Sequence, residues 1–291
     1  MSGSTESDRL NQLGNELADK GQSVDAEQAY LAAAKADPSW SAPLYNLGLL
    51  YKYQGRWNDS LRCNQRAVEL SPDDRDAWWN LGIAATAVGN WTEARRAWAS
   101  CGIKMPAGDG PPECNFGVTP VRLDPEGDGE VVWAQRIDPA RARLLSVPLP
   151  TSSYHWGDIV LHDGAAEGYR VVDEVEYPVF NVLTRLIASP FSTFIVELGT
   201  ASPPAIERLE VIASDFGGAA EDWGTSTNIL CRDCSLGRPH EHSDSSGIPA
   251  HPHLGLAARN FDHAKKIIES WLSSTPGADI VTWNAAPESA A

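Results

Sequence analysis

The sequence predicts a multidomain chain: an all-α solenoid of three helix–turn–helix repeats, followed by an α+β C-terminal half. Three observations carry this. Residue types recur with a period of 34 over the first hundred positions. Near Gly117 the helical period gives way to short β-branched and aromatic runs. In the last hundred residues strand-like and helix-like segments alternate.

The repeat units are 7–40, 41–74 and 75–106, after a disordered start at 1–6. Position 7 of each unit is Leu13, Leu47 or Leu81, and position 8 is Gly14, Gly48 or Gly82. Position 15 is Gly21, Gly55 or Gly89, where glycine permits a tight turn between two helices. Position 20 is Ala26, Ser60 or Ala94, and position 27 is Ala33, Ala67 or Cys101. These small residues let antiparallel helices approach. Position 24 holds Tyr30 and Trp98, which fill space between helices, but Asn64 in the second unit. Pro38, Pro72 and Pro106 at position 32 stop the second helix. Trp57 and Trp91 share position 17 and read as architecture.

Those residues resemble the tetratricopeptide repeat (TPR) over about 7–106. The resemblance implies a solenoid whose first helices line a concave, peptide-binding groove. It maps the partner-binding residues to Asn11, Asn15, Tyr45, Leu49, Lys52, Trp79 and Ile83. Relatives that hold chaperone C-termini use a clamp of lysine, arginine and asparagine. Asn15 and Asn46 fit it, whereas Asn11, Asp76 and Asn80 stand where basic groups are needed, which argues against chaperone tails. Tyr45, Leu49, Trp79 and Ile83 instead offer an aromatic and apolar stripe, filled either by a partner segment or by the chain's own C-terminal half. The Gly/Pro-rich linker 107–116 cannot form a capping helix, so the last repeat's face is left for the C-terminal half or for self-association.

Bulk properties narrow the partners. The 291 residues carry 23 basic and 39 acidic side chains, a formal charge of −16. Such a chain repels phosphate backbones and anionic membranes, so neither nucleic acid nor membrane is expected. The five cysteines form no disulfide framework, and the start MSGSTESDRL lacks a signal pattern. No apolar run approaches the ~18 residues of a membrane span. The expectation is a soluble, cytoplasmic, acidic protein.

In 117–188 the runs Glu130–Asp138, Ala142–Val147, Gly157–His162, Tyr169–Asp173 and Glu176–Leu183 predict a small antiparallel β unit, partly closed into a barrel. The segments EGDG, PLPTSS and HDGAAEG read as turns between them. His155 and His162-Asp163 fall at strand ends with no nucleophile to pair with, and the histidines read as surface residues. In 189–285 the order is strand Ser192–Leu198, a helix capped by Ser202 and ended by Gly217-Gly218, and strand Thr227–Leu230. Strand Leu254–Ala258, a helix capped by Asn260 and strand Ala278–Trp283 follow. This β-α-β-β-α-β order predicts a ferredoxin-like unit, with a Cys/His insertion at 231–253 and a disordered tail at 286–291.

The insertion reads Cys231-x2-Cys234-x5-His240-x-His242-x8-His251-x-His253. Cys231, Cys234, His240 and His242, with His251 and His253 as alternates, supply the four sulfur and nitrogen ligands that structural zinc takes. A redox pair and a solvated loop remain open readings, although Gly237 and Pro239 oppose the helix a reactive Cys-x2-Cys opens. The functional expectation is a non-enzymatic interaction scaffold with a groove for a peptide or protein, and structural zinc as the cofactor. Two alternatives stand beside it: a metal-dependent hydrolase whose repeats dock the substrate, and an acidic inhibitor of a basic toxin.

Overall fold

A computed structural model describes residues 5–127, 129–172, 174–200, 202–226 and 253–286. The chain divides into two units, the first built mainly from residues 1–114 and the second from residues beyond them.

Six helices make the first unit: α1 Glu6–Asp19, α2 Ser23–Ala36, α3 Ala42–Tyr53, α4 Trp57–Leu70, α5 Arg75–Ala87 and α6 Trp91–Ser100. The first starts one residue before the expected boundary. Thr5 caps it, accepting from the Asp8 amide, while Asp8 accepts from the Thr5 amide. Gly21, Gly55 and Gly89 turn each helix pair with φ of 73°, 68° and 72°, a backbone that glycine adopts without strain. Positions 20 and 27 are buried in all three units. Leu47 and Leu81 are fully buried, but Leu13 is 46 % exposed. A leucine at position 7 packs toward the preceding unit, as Leu47 and Leu81 do, and among the described residues no unit precedes that of Leu13. No helix lies between α6 and the first strand. The linker instead returns along α6, where Arg95 donates to the carbonyl oxygens of Pro106 (2.7 Å) and Gly110 (2.8 Å).

The second unit opens with a closed five-stranded barrel: β1 Val118–Arg122, β2 Val131–Arg136, β3 Arg141–Leu144, β4 Ile159–Val172 and β5 Val175–Ile187. Neighbours are antiparallel except β1 and β5, whose short parallel pairing closes the ring. Val121, Val132, Ala134, Leu144, Val160 and Val182 fill its core. Two sequence expectations change. Pro120 suppresses the signal for β1, yet it sits where β1 has only β2 beside it, a place where a strand tolerates proline. HDGAAEG is not a turn: it runs inside β4, and its extra residues are absorbed as register shifts around Ala166.

A four-stranded sheet follows, built from β6 Ser192–Thr200, β7 Ala219–Asp222, β8 His253–Ala258 and β9 Asp279–Ala285 in the order β7-β8-β6-β9. Helices α7 Pro203–Asp215 and α9 Phe261–Ser274 pack on it, and α8 Trp223–Ser226 is a single turn after β7. Leu209, Ile212, Ile267, Ile268 and Trp271 bury their faces against Phe194, Val196 and Leu254, while Leu272 is 40 % exposed. Asn260 caps α9, its side chain accepting from the His263 amide. The expected strand Thr227–Leu230 lies outside the described residues. The strand beside β8 is Ala219–Asp222, directly after the turn at Gly217, whose φ is 77°.

Candidate functional site

The repeat period places one residue type at one height in each unit, and the structure shows why the helices close there. A Cβ on Gly14, Gly48 or Gly82 would stand 2.4, 2.5 or 2.6 Å from Tyr30, Asn64 or Trp98. Position 8 must therefore be small wherever position 24 occupies that space. Asn64 fills the place by polar contacts: Nδ2 donates to the Ser60 carbonyl at 2.9 Å, and Ser60 Oγ donates to the Gly48 carbonyl at 2.8 Å.

Polar bridges then tie the first helices of successive units side by side. Asn46 Nδ2 on α3 donates to Asn11 Oδ1 (3.0 Å) and Asn15 Oδ1 (3.2 Å) on α1. Tyr30 Oη donates to the same Asn15 oxygen at 2.9 Å. Lys52 Nζ, almost wholly buried, donates to Asn80 Oδ1 on α5 at 3.1 Å and lies 4.6 Å from the Tyr53 ring centre. Buried polar groups of this kind fix register because each needs its partner. Asn11, Asn15 and Lys52 thus serve contacts between units. Tyr45 and Leu49 are half-buried on α3, and Trp79 is half-buried on α5, where its ring meets Trp98 edge-on at 5.1 Å. Ile83 is fully buried.

The five residues Cys231, Cys234, His240, His242 and His251 lie outside the described residues. His253 opens β8, half-buried opposite Glu197 of β6. Among the described residues no three His, Cys, Asp or Glu side chains stand together as a metal group. Nor is any described helix long and apolar enough to cross a membrane.

His162 is not a surface residue. It is wholly buried in β4, with Nδ1 2.8 Å from the Asp163 carbonyl and the ring 5.2 Å from Phe180. Burial, with a smaller push from Arg136, lowers its pKa to about 4, so the ring is neutral. A second buried group had no signal in the sequence. Glu130, at the entry to β2, accepts from the Leu149 amide at 3.0 Å, and Glu221 of β7 accepts from the Val147 amide. Trp223 Nε1 donates to the Val147 carbonyl at 2.8 Å. Barrel and sheet therefore share the segment 147–149. Burial, helped by the neighbouring Glu221 charge, raises the Glu130 pKa to about 7.

A tetratricopeptide repeat family model matches residues 45–101. No curated protein matches the chain. Solved structures that it resembles include the second TPR of Spaghetti (RPAP3) bound to the HSP90 peptide SRMEEVD. That one is 18 % identical, covers 33 % of this chain and 90 % of that one, and has a TM-score of 0.32. The first TPR of Spaghetti, with the same peptide, is 22 % identical, covers 33 % and 77 %, and has a TM-score of 0.32. The Sgt2 TPR domain from Aspergillus fumigatus is 24 % identical, covers 33 % and 63 %, and has a TM-score of 0.31. The helices of the second and third units, at residues 45–101, are tetratricopeptide repeats.

Proposed function

We propose that the chain is an interaction scaffold whose repeat groove binds an apolar or aromatic segment of a partner protein, with Tyr45, Leu49 and Trp79 as the contact residues. One observation carries this reading. The bridges from Asn46 to Asn11 and Asn15, and from Lys52 to Asn80, draw three helices together, and half-buried aromatic and apolar side chains stand beside those bridges. Preordered apolar anchors bind well because little side-chain freedom remains to be lost. Asn46 Nδ2 donates to Asn15, and Asn11, Asp76 and Asn80 stand where a carboxylate clamp needs basic groups, so a carboxylate-ended tail is the poorer fit.

Selection of peptides from a random library against the full chain tests the reading. Selected peptides should share an aromatic or branched apolar residue, and Tyr45→Ser with Leu49→Ser should abolish binding while the helical circular dichroism is kept. Equal binding by the double variant would overturn it. Trp79 is a poorer first choice, because its contact with Trp98 ties it to the fold.

The C-terminal half adds two proposals. The β-α-β-β-α-β succession and the order β7-β8-β6-β9 support a ferredoxin-like unit. Two thiolates from Cys231 and Cys234 and two imidazoles from His240 and His242, with His251 and His253 as alternates, support a structural zinc. About one zinc per purified chain, lost in Cys231→Ser/Cys234→Ser, is the expected result. Reduced, folded protein without zinc would overturn it.

A further inference from the structure

The hairpin of β4 and β5 carries a surface that the repeat groove leaves unexplained. β4 meets β3 only along Ile159–Leu161, and β5 meets β1 only at Phe180 and Asn181. Farther out, 169–172 and 175–178 form ladder pairs only with each other; Thr119 Oγ1 of β1 donates to the Pro178 carbonyl at 3.0 Å, and beyond that contact the ladder edges are open among the described residues. Its faces differ. Arg170 and Tyr177 turn to the barrel, where the guanidinium lies 5.0 Å from the Trp133 ring and Tyr177 meets that ring edge-on at 5.1 Å. Side chains alternate along a strand, so Tyr169 and Val171 turn the other way, 48 % and 54 % exposed. Their antiparallel opposites, Pro178 and Glu176, are exposed too.

An apolar ribbon with open edges is a template for strand pairing unless something discourages it. Here the discouragement is selective. Glu174 and Glu176 are exposed at the tip, on a chain of formal charge −16. A second copy would set glutamate against glutamate, which strand pairs avoid. A cationic strand would meet opposite charge and apolar surface together. We propose that the face formed by Tyr169, Val171, Glu176 and Pro178 docks a basic extended segment of another protein, in which apolar side chains alternate with lysine or arginine.

The probe is a fluorescein-labelled seven-residue peptide alternating lysine and valine, titrated with the full chain at low salt and followed by anisotropy. Wild-type protein should bind it, with affinity falling as salt rises. Tyr169→Ser with Val171→Ser leaves the charge unchanged, so bulk attraction to an acidic protein is held constant, and should weaken binding about tenfold. Both side chains are exposed, so the fold should survive, as circular dichroism would confirm. The same peptide with glutamate for lysine should not bind. Equal affinity for wild type and this variant overturns the proposal. So does loss of binding only in the Tyr45→Ser/Leu49→Ser groove variant, or a concentration-dependent dimer that the hairpin substitutions abolish.

Discussion

Gly82 and Trp98 meet so closely that a methyl group on the glycine would stand 2.6 Å from the indole. The third unit closes on this contact. Gly82→Ala should lower stability by about 1–3 kcal/mol, because overpacking outweighs the gain in helix propensity. Gly48→Ala meets the smaller, rotatable Asn64 amide and should cost less. Urea unfolding of the two variants side by side checks the order.

Leu13, Leu47 and Leu81 occupy one repeat position with unequal burial. Leu47→Ala and Leu81→Ala should each cost about 2–5 kcal/mol. Leu13→Ala, on the end unit, should cost less than about 1 kcal/mol. Equal losses in thermal unfolding would contradict the packing at the first unit.

His162 gives the fold an acid limit. Its folded pKa, lowered from 6.5 to about 4, means that the unfolded chain takes up a proton first as pH falls. Stability from the neutral ring is complete above pH 6.5 and is lost on the way down through 4. His162→Gln should flatten that decline by up to about 3 kcal/mol. The readout is urea stability measured from pH 7 to pH 4.

Glu130 acts with the opposite sign. Its folded pKa, raised from 4.5 to about 7, means that the folded chain holds a proton the unfolded chain has released. Stability from this group therefore falls as pH rises from 4.5 and is fully lost above 7. Glu130→Gln keeps an acceptor for the Leu149 amide and should be more stable than wild type at pH 8 by up to about 3 kcal/mol. The difference should vanish near pH 4.5.

The first unit was legible because one helix pair is written three times: the turn glycines, the small residues and the terminating prolines all recur. The exposed Leu13 was not, since a period says nothing about which unit lies at an end. In the second unit helices α7 and α9 and strand β8 were readable from apolar spacing, and α9 from its Asn260 cap as well; Ser202 stands at the N-cap position of α7 but its side chain makes no capping bond. β1 was hidden by Pro120, and β4 was split by glycines that the sheet absorbs as register shifts. At the candidate site repeat position put Tyr45, Leu49, Trp79 and Ile83 in one stripe; the first three are half-buried, whereas Ile83 is fully buried, a difference that the period does not carry. The pairing of Lys52 with Asn80 needed the helix spacing, and the Glu130 and Glu221 contacts to 147–149 join segments that no local pattern connects.

The Arg95 clasp decides where this chain can be cut. Sequence logic ends the repeats at Pro106, the last proline of the period. A fragment stopped there keeps the Pro106 carbonyl only as a fraying terminus and discards Gly110, so the guanidinium loses its second anchor. A fragment carried eight residues farther, to Cys114, retains both carbonyls and is the one expected to stand alone.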